Sequence, residues 1–478
     1  MRRLLIAAAV LTAVVSSLAG PARTAAPFDV SFTTDTMRVD YFQTGGRGIE
    51  AVALDRIVND GPWPGSRTHL VDDTNLGKYL FEVIDRNTNQ VVFSRGVANL
   101  FGEWETTAEA KETFRTFGAS LRFPWPKQPV QLVLKKRDRL NAFHEFWSTL
   151  IDPVSRQVNR ARLAPIGRVW TLWESGPSET KVDLLLIGDG YTEAELPKFH
   201  ADANRLVERM FTLEPYKSHR ADFNVRAIDV VAAQSGIHNP RTGEMRRSRV
   251  GTEYNIFDSE RYALGVDNRG WRDAASAAPY DAVEILINNA YYGGGGIFND
   301  HATVAVDTGS ADYIFVHEFG HHFAGLGDEY YTSDVAYETG AAAKIEPWEP
   351  NVTALHDPVT LKWKDLVTPG TPLPTPWNKE AFEKHSTEVQ AERRRLRAAA
   401  APESAMDALF ATEKEWETRF LSTMTHSGKV GAFEGASYEP KGLYRPEADC
   451  IMFTRDEVGF CRVCRRAIER AIALHTGK

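Results

Sequence analysis

Cysteine is scarce in this sequence. Three residues among 478, Cys450, Cys461 and Cys464, all lie in the last 29 positions, which leaves room for one disulfide and an odd thiol. Basic charge is not in excess either: 56 Lys and Arg stand against 64 Asp and Glu, a formal net charge of -8. Nothing in those totals provides a phosphate-holding surface, so a nucleic-acid partner is not expected. Beyond the first residues there is no long apolar run, which excludes an integral membrane domain. No nucleophile elbow is present and the cysteines cluster at one end, so serine or cysteine hydrolase chemistry is disfavoured. Gly188-Asp189-Gly190 lacks both the third glycine of a dinucleotide fingerprint and the lysine of a phosphate loop.

What is present is a globular composition, 43% hydrophobic and 25% charged, long enough for two to four packed units. Met1-Arg2-Arg3, the apolar run Leu4 to Val15 and small residues up to Ala19 have the three parts of a secretory signal peptide. Residues 1–26 are therefore expected to be a signal peptide and short leader, and the protein to be exported, periplasmic or extracellular. From 27 to 151 short β-branched and aromatic runs alternate with turn formers, at Val30 to Phe32, Met37 to Phe42, Tyr79 to Ile84, Val91 to Phe93 and Val130 to Lys135. This pattern predicts an accessory β-sandwich. From about 165 to 478 the pattern becomes α/β. Val182 to Ile187 predicts a buried strand, Glu193 to Met210 a helix, and Phe223 to Val231, Ala282 to Asn288 and Ala302 to Val306 three more strands. Two helices joined near Pro402 are expected within 381–420 as an insertion.

The chemistry concentrates in His317-Glu318-Phe319-Gly320-His321. Histidines four apart on a helix present both rings on one face and can grip one cation, and Glu318 stands beside the first of them. Neutral nitrogen donors suit Zn2+, and a catalytic zinc needs three protein donors and an open position. Gly325 and Gly327 should end the helix and turn the chain back. Asp328 is then the first candidate for the third ligand, with Glu329 as alternative and Glu338 or Glu346 behind them. Tyr330 and Tyr331 are candidate oxyanion donors. Gly293, Gly294, Gly295 and Gly296 form either a substrate-pairing edge or a loop. The cysteines allow a disulfide, a redox pair at Cys461 and Cys464, or a metal site completed by an outside ligand.

The run from His317 to Tyr331 resembles the zinc motif of the IgA peptidase family of bacterial metallopeptidases, grouped with the metzincins. Gly188-Asp189-Gly190-Tyr191-Thr192, Glu214-Pro215-Tyr216, Phe223-Asn224-Val225, Ser235-Gly236, Trp363-Lys364, Gly431 to Ala436, and Gly442 to Pro446 leading to Cys450-Ile451-Met452 carry the same likeness. It implies a metzincin-like catalytic domain after the β-sandwich, His317 and His321 as zinc ligands, Glu318 as general base, and Met452 in the methionine turn beneath the metal. Without the resemblance Met452 is a core methionine. The common metzincin spacing puts a glycine and the third ligand at Ala324 and Gly327. Here Gly325 and Asp328 keep that interval, displaced by one. The expected activity is hydrolysis of peptide bonds in a protein or peptide substrate; the rival is a noncatalytic secreted protein-binding or carbohydrate-binding module with a structural zinc.

Overall fold

Alternation along the first strand sets the amino-terminal architecture. In β1 (Phe32–Gly46), Met37, Val39 and Tyr41 face one way and are buried, while Thr36, Arg38 and Asp40 face the other. The computed structural model describes residues 27–333, 345–456 and 458–478, and the expected leader at 1–26 lies outside them. After a helical turn, α1 (Phe28–Ser31), β1 pairs with β2 (Ile49–Pro62). The strands β3 (Tyr79–Asp85), β4 (Val91–Val97), β5 (Arg115–Pro126), β6 (Val130–Arg137), β7 (Phe143–Ile151) and β8 (Val158–Arg162) follow, with α2 (Leu100–Trp104) between β4 and β5. They form two four-stranded sheets, ordered β5-β1-β2-β8 and β4-β3-β6-β7. Met37, Val39 and Phe123 of one sheet meet Phe81, Leu132 and Leu134 of the other in a shared core. This is the expected sandwich.

The second part is built on a six-stranded sheet ordered β15-β16-β14-β10-β11-β9. Its strands are β9 (Arg168–Trp173), β10 (Val182–Asp189), β11 (Phe223–Asp229), β14 (Ala282–Ile287), β15 (Gly294–Ile297) and β16 (His301–Ala305); the pair β12 (Thr252–Tyr254) and β13 (Ala263–Gly265) lies outside it. The four inner strands are parallel, and β9 and β15 run antiparallel at the two edges. Leu184 and Leu186 of β10 contribute to the core shared with α3 (Leu196–Met210), α5 (Ala311–Ala324) and α8 (Arg462–Thr476). Leu185 and Ile187 pack instead with Trp271 and Ala274 of α4 (Asn268–Ala275). Covering on both faces is why β10 reads as an apolar run rather than an alternation. The expected helix pair is α6 (Lys379–Ala398) and α7 (Glu403–Ser422), with Pro402 at the N-cap of α7. The hairpin β17 (Phe433–Ala436) and β18 (Glu439–Arg445) precedes α8.

The polar face of β1 meets this second part through a buried charge network. Arg38 donates to Asp40 at 2.9 Å and to Asp60, and also contacts Asp273 of α4. Arg122 and the Tyr280 hydroxyl complete Asp60 at 2.8 and 2.9 Å. Burial alone would raise the Asp60 carboxyl, but Arg38 and Arg122 hold it below its ordinary value. Asp60→Ala leaves Arg38 buried beside one fewer carboxylate, and should cost roughly 3–5 kcal/mol in urea unfolding at neutral pH. Because the folded pKa is depressed, that contribution is present above about pH 3.8 and is lost as the pH falls through the folded value.

Candidate metal centre

Helix α5 carries the histidines. Its interior, Ile314, Phe315, Val316, Phe319 and Phe323, is buried, and the helix stops where Gly325 takes a left-handed conformation, φ 62°. Gly325 N donates to His321 O and Leu326 N to Gly320 O, which satisfies the last carbonyls and reverses the chain. The helix lies directly on the glycine strand β15. A Cβ at Gly296 would meet the Glu318 carbonyl oxygen at 2.3 Å, and one at Gly294 would meet Ile314 at 2.7 Å. The glycines thus bring the helix onto the sheet edge. Gly293 and Gly294 are buried, while Gly295 and Gly296 are partly exposed. Gly294 N is already taken by Arg261 O, so that end of the strand is not open for pairing.

Three donors converge at the end of the reversal. His317 Nε2 lies 3.1 Å from His321 Nε2 and 3.1 Å from Asp328 Oδ1, and His321 Nε2 lies 3.2 Å from the same oxygen. Both rings are oriented from behind: Nδ1 of His317 donates to Ile451 O at 2.9 Å, and Nδ1 of His321 to Leu326 O at 2.5 Å. With those protons committed, two bare nitrogens and a carboxylate oxygen face one another, an arrangement that only a shared proton or a cation relieves. The spacing fits a cation. Donors at about 2.0–2.1 Å from a tetrahedral zinc stand about 3.3 Å apart. Burial would lower the His321 pKa, but the Asp328 carboxylate beside the ring raises it to about 9.

Asp328 is held from two sides. The Tyr438 hydroxyl donates to its Oδ2, and Ser437 N donates to its backbone oxygen at 2.9 Å. Asn351 receives Gly327 N and donates to Gly327 O, both at 2.8 Å, fixing the approach. Met452 is fully buried beneath the helix, with its sulfur 3.2 Å from where a Gly320 Cβ would stand. Glu318 and Tyr330 line a cleft of about 460 Å³ together with His317, His321, Asp328 and Arg261. Burial holds the Glu318 carboxyl above its ordinary range. Arg261 donates to the Tyr330 hydroxyl at 3.3 Å.

Other candidates fall elsewhere. Glu329 turns away from the histidines toward the cysteines, its Oε1 3.2 Å from Cys464 Sγ. Tyr331 packs against Phe453 and Phe382 in the core and does not line the cleft. Glu346 binds Lys362 at 3.0 Å and Ala354 N at 3.0 Å, and Glu338 lies outside the described residues. The expected disulfide is not formed. All three cysteines are free thiols, Cys450 and Cys464 having their sulfurs 3.8 Å apart, well beyond the ~2.0 Å of a bond. His322, next to the second ligand candidate, faces the sheet: its Nε2 accepts from Val283 N, and burial lowers its pKa to about 3, so it is a neutral structural residue.

Sequence reasoning missed Tyr438, Asn351, Arg261 and Tyr313. Only Tyr313 carried a local signal. It is one helical turn before His317, and its hydroxyl lies 3.1 Å from that ring's Nδ1.

A helix-borne His pair, a returning carboxylate and a glutamate in an adjoining cleft define a zinc metallopeptidase. The chain belongs to the IgA peptidase M64 family: the IgA Peptidase M64 model matches residues 170–472, and the Peptidase M64 N-terminus model matches 27–148. No curated protein matches the sequence.

Proposed function

We propose that the chain is an exported endopeptidase in which His317, His321 and Asp328 hold zinc, Glu318 is the general base and Met452 forms the turn beneath the metal. The observation that carries this is the open side of the donor group. A zinc kept for stability is closed by four protein donors, whereas here three converge and the remaining side faces a cleft that contains Glu318. When bound, zinc supplies a Lewis acid that polarises a carbonyl and acidifies water. Glu318 takes one proton from the attacking water as the carbon–oxygen bond forms. It returns that proton to the amine as the carbon–nitrogen bond breaks, so the carboxylate is regenerated. Tyr330, whose oxygen already accepts from Arg261, keeps its own proton to donate to the developing oxyanion. The partly exposed Gly295 and Gly296 are the part of β15 available to align an extended substrate.

The leader at 1–26 supports delivery to the periplasm or the medium, and no helix among the described residues is long and apolar enough to cross a membrane. Chelation tests the activity directly. Cleavage of an unfolded protein panel should fall to background after complete metal removal and return on adding Zn2+; cleavage that survives demetallation overturns the reading.

A further inference from the structure

Behind the cleft lies a second group of donors that the peptidase chemistry does not use. Cys450, Cys461, Cys464 and Glu329 are all buried, and one ligand atom from each lies within 4.8 Å of the others. We propose that these four residues form a second, structural site for a thiolate-preferring divalent cation, zinc, distinct from the His317, His321 and Asp328 centre.

The spacing is that of a closed tetrahedral shell. Zinc–sulfur bonds of about 2.3 Å place two sulfurs about 3.8 Å apart and a sulfur and a carboxylate oxygen about 3.5 Å apart. Cys450 Sγ and Cys464 Sγ are separated by 3.8 Å, and Glu329 Oε1 is 3.2 Å from Cys464 Sγ and 3.9 Å from Cys461 Sγ. Polar groups around the site are arranged for thiolates. Cys461 N donates to Cys450 Sγ at 3.2 Å and Cys464 N donates to Cys461 Sγ at 3.4 Å. Cys461 is also the N-cap of α8, where the helix end favours negative charge. Asn351 donates to Glu329 Oε1 at 2.9 Å, orienting the carboxylate as outer partners of metal ligands do.

A disulfide accounts for less of this geometry. Any pairing of two cysteines leaves a third thiol beside a carboxylate that is fully buried and whose Oε2 has no hydrogen-bond partner. A cation uses all three sulfurs and the carboxylate together, the thiols releasing their protons to solvent on binding. Softness of the ligands selects zinc over magnesium or calcium, and four protein donors leave no open position for catalysis.

The site would clip the stretch after α5 to two segments far along the chain, the turn at Cys450 and the start of α8, Glu329 standing 132 and 135 positions from Cys461 and Cys464. Two of these three segments support the first centre: Ile451 O receives His317 Nδ1, and Met452 O receives Glu329 N at 2.8 Å. The second cation therefore fixes the turn that orients His317 and the residue following Asp328.

The test uses the full chain and measures metal rather than activity. Wild type should contain about two zinc ions per chain, and the His317→Ala/His321→Ala variant about one, whose X-ray absorption spectrum has a sulfur shell at about 2.3 Å. Thiol counting on denatured, unreduced wild type should find all three cysteines free. A single free thiol, or zinc in the histidine variant with only nitrogen and oxygen neighbours, overturns the second site. Should the histidine variant not fold, the wild-type spectrum decides: a sulfur shell supports the site and its absence refutes it. Equal zinc content in wild type and a folded histidine variant would instead overturn the catalytic centre, so the two failures are distinguishable.

Discussion

Glu318→Gln should leave zinc content and folding unchanged and lower the rate of peptide hydrolysis by about 10²–10⁴-fold, the usual contribution of a positioned general base. The amide keeps the volume and one acceptor oxygen but cannot carry a proton from water to the leaving amine. Its neighbours tolerate the exchange. The side chain borders the cleft rather than the apolar core, and the α5 backbone against Gly296 is untouched. The decisive comparison is kcat against zinc per chain in the same preparation. Full activity in a zinc-loaded variant would remove Glu318 from the mechanism. Lost zinc together with lost activity would mean that its carboxylate holds the centre together instead.

The features that the sequence made legible were those carried by local periodicity. His317 and His321 are one helical turn apart, and Gly325 follows as a left-handed stop, so spacing alone placed two donors and the reversal. The same holds for β10, whose run Val182 to Ile187, apolar except for Asp183, announced a buried strand. After the reversal, adjacent candidates divide by side: Asp328 and Tyr330 face the cleft, while Glu329 and Tyr331 face the interior. An extended segment separates neighbouring side chains in this way. Yet the sequence could not say which parity faced the histidines, because the deciding contacts come from afar. Tyr438 reaches Asp328 across 110 positions and Cys464 reaches Glu329 across 135. For the same reason, cysteine count and spacing suggested a bridge, since the fourth member of the cluster is a glutamate from beside the first centre. The polar face of β1 shows the same limit: the run Met37 to Phe42 was legible as a strand, but not the ion pair that Arg38 on that face makes with Asp273 of α4.

Removing the Tyr438 hydroxyl separates the role of Asp328 from that of its neighbours. In Tyr438→Phe the carboxylate keeps its place but loses the donor to Oδ2, the oxygen turned away from the histidines. Loss of such an outer partner should weaken zinc binding by about 10–100-fold, read by competition with a chelating dye. Asp328→Ala removes one of the three converging donors, so its loss of affinity should exceed that of Tyr438→Phe. The double variant should be no worse than Asp328→Ala alone, because Tyr438 then has no ligand to orient; that non-additivity is the signature of two residues acting on one bond. Unchanged affinity in Asp328→Ala would mean that the third ligand comes from elsewhere. Additive losses would mean that Tyr438 acts on the cleft by another route, through its ring contact with Tyr330, 5.4 Å between centroids. Both measurements should be made by following the zinc held by the histidines, because the neighbouring cysteine cluster is proposed to keep a zinc of its own and would mask a partial loss in a bulk metal count.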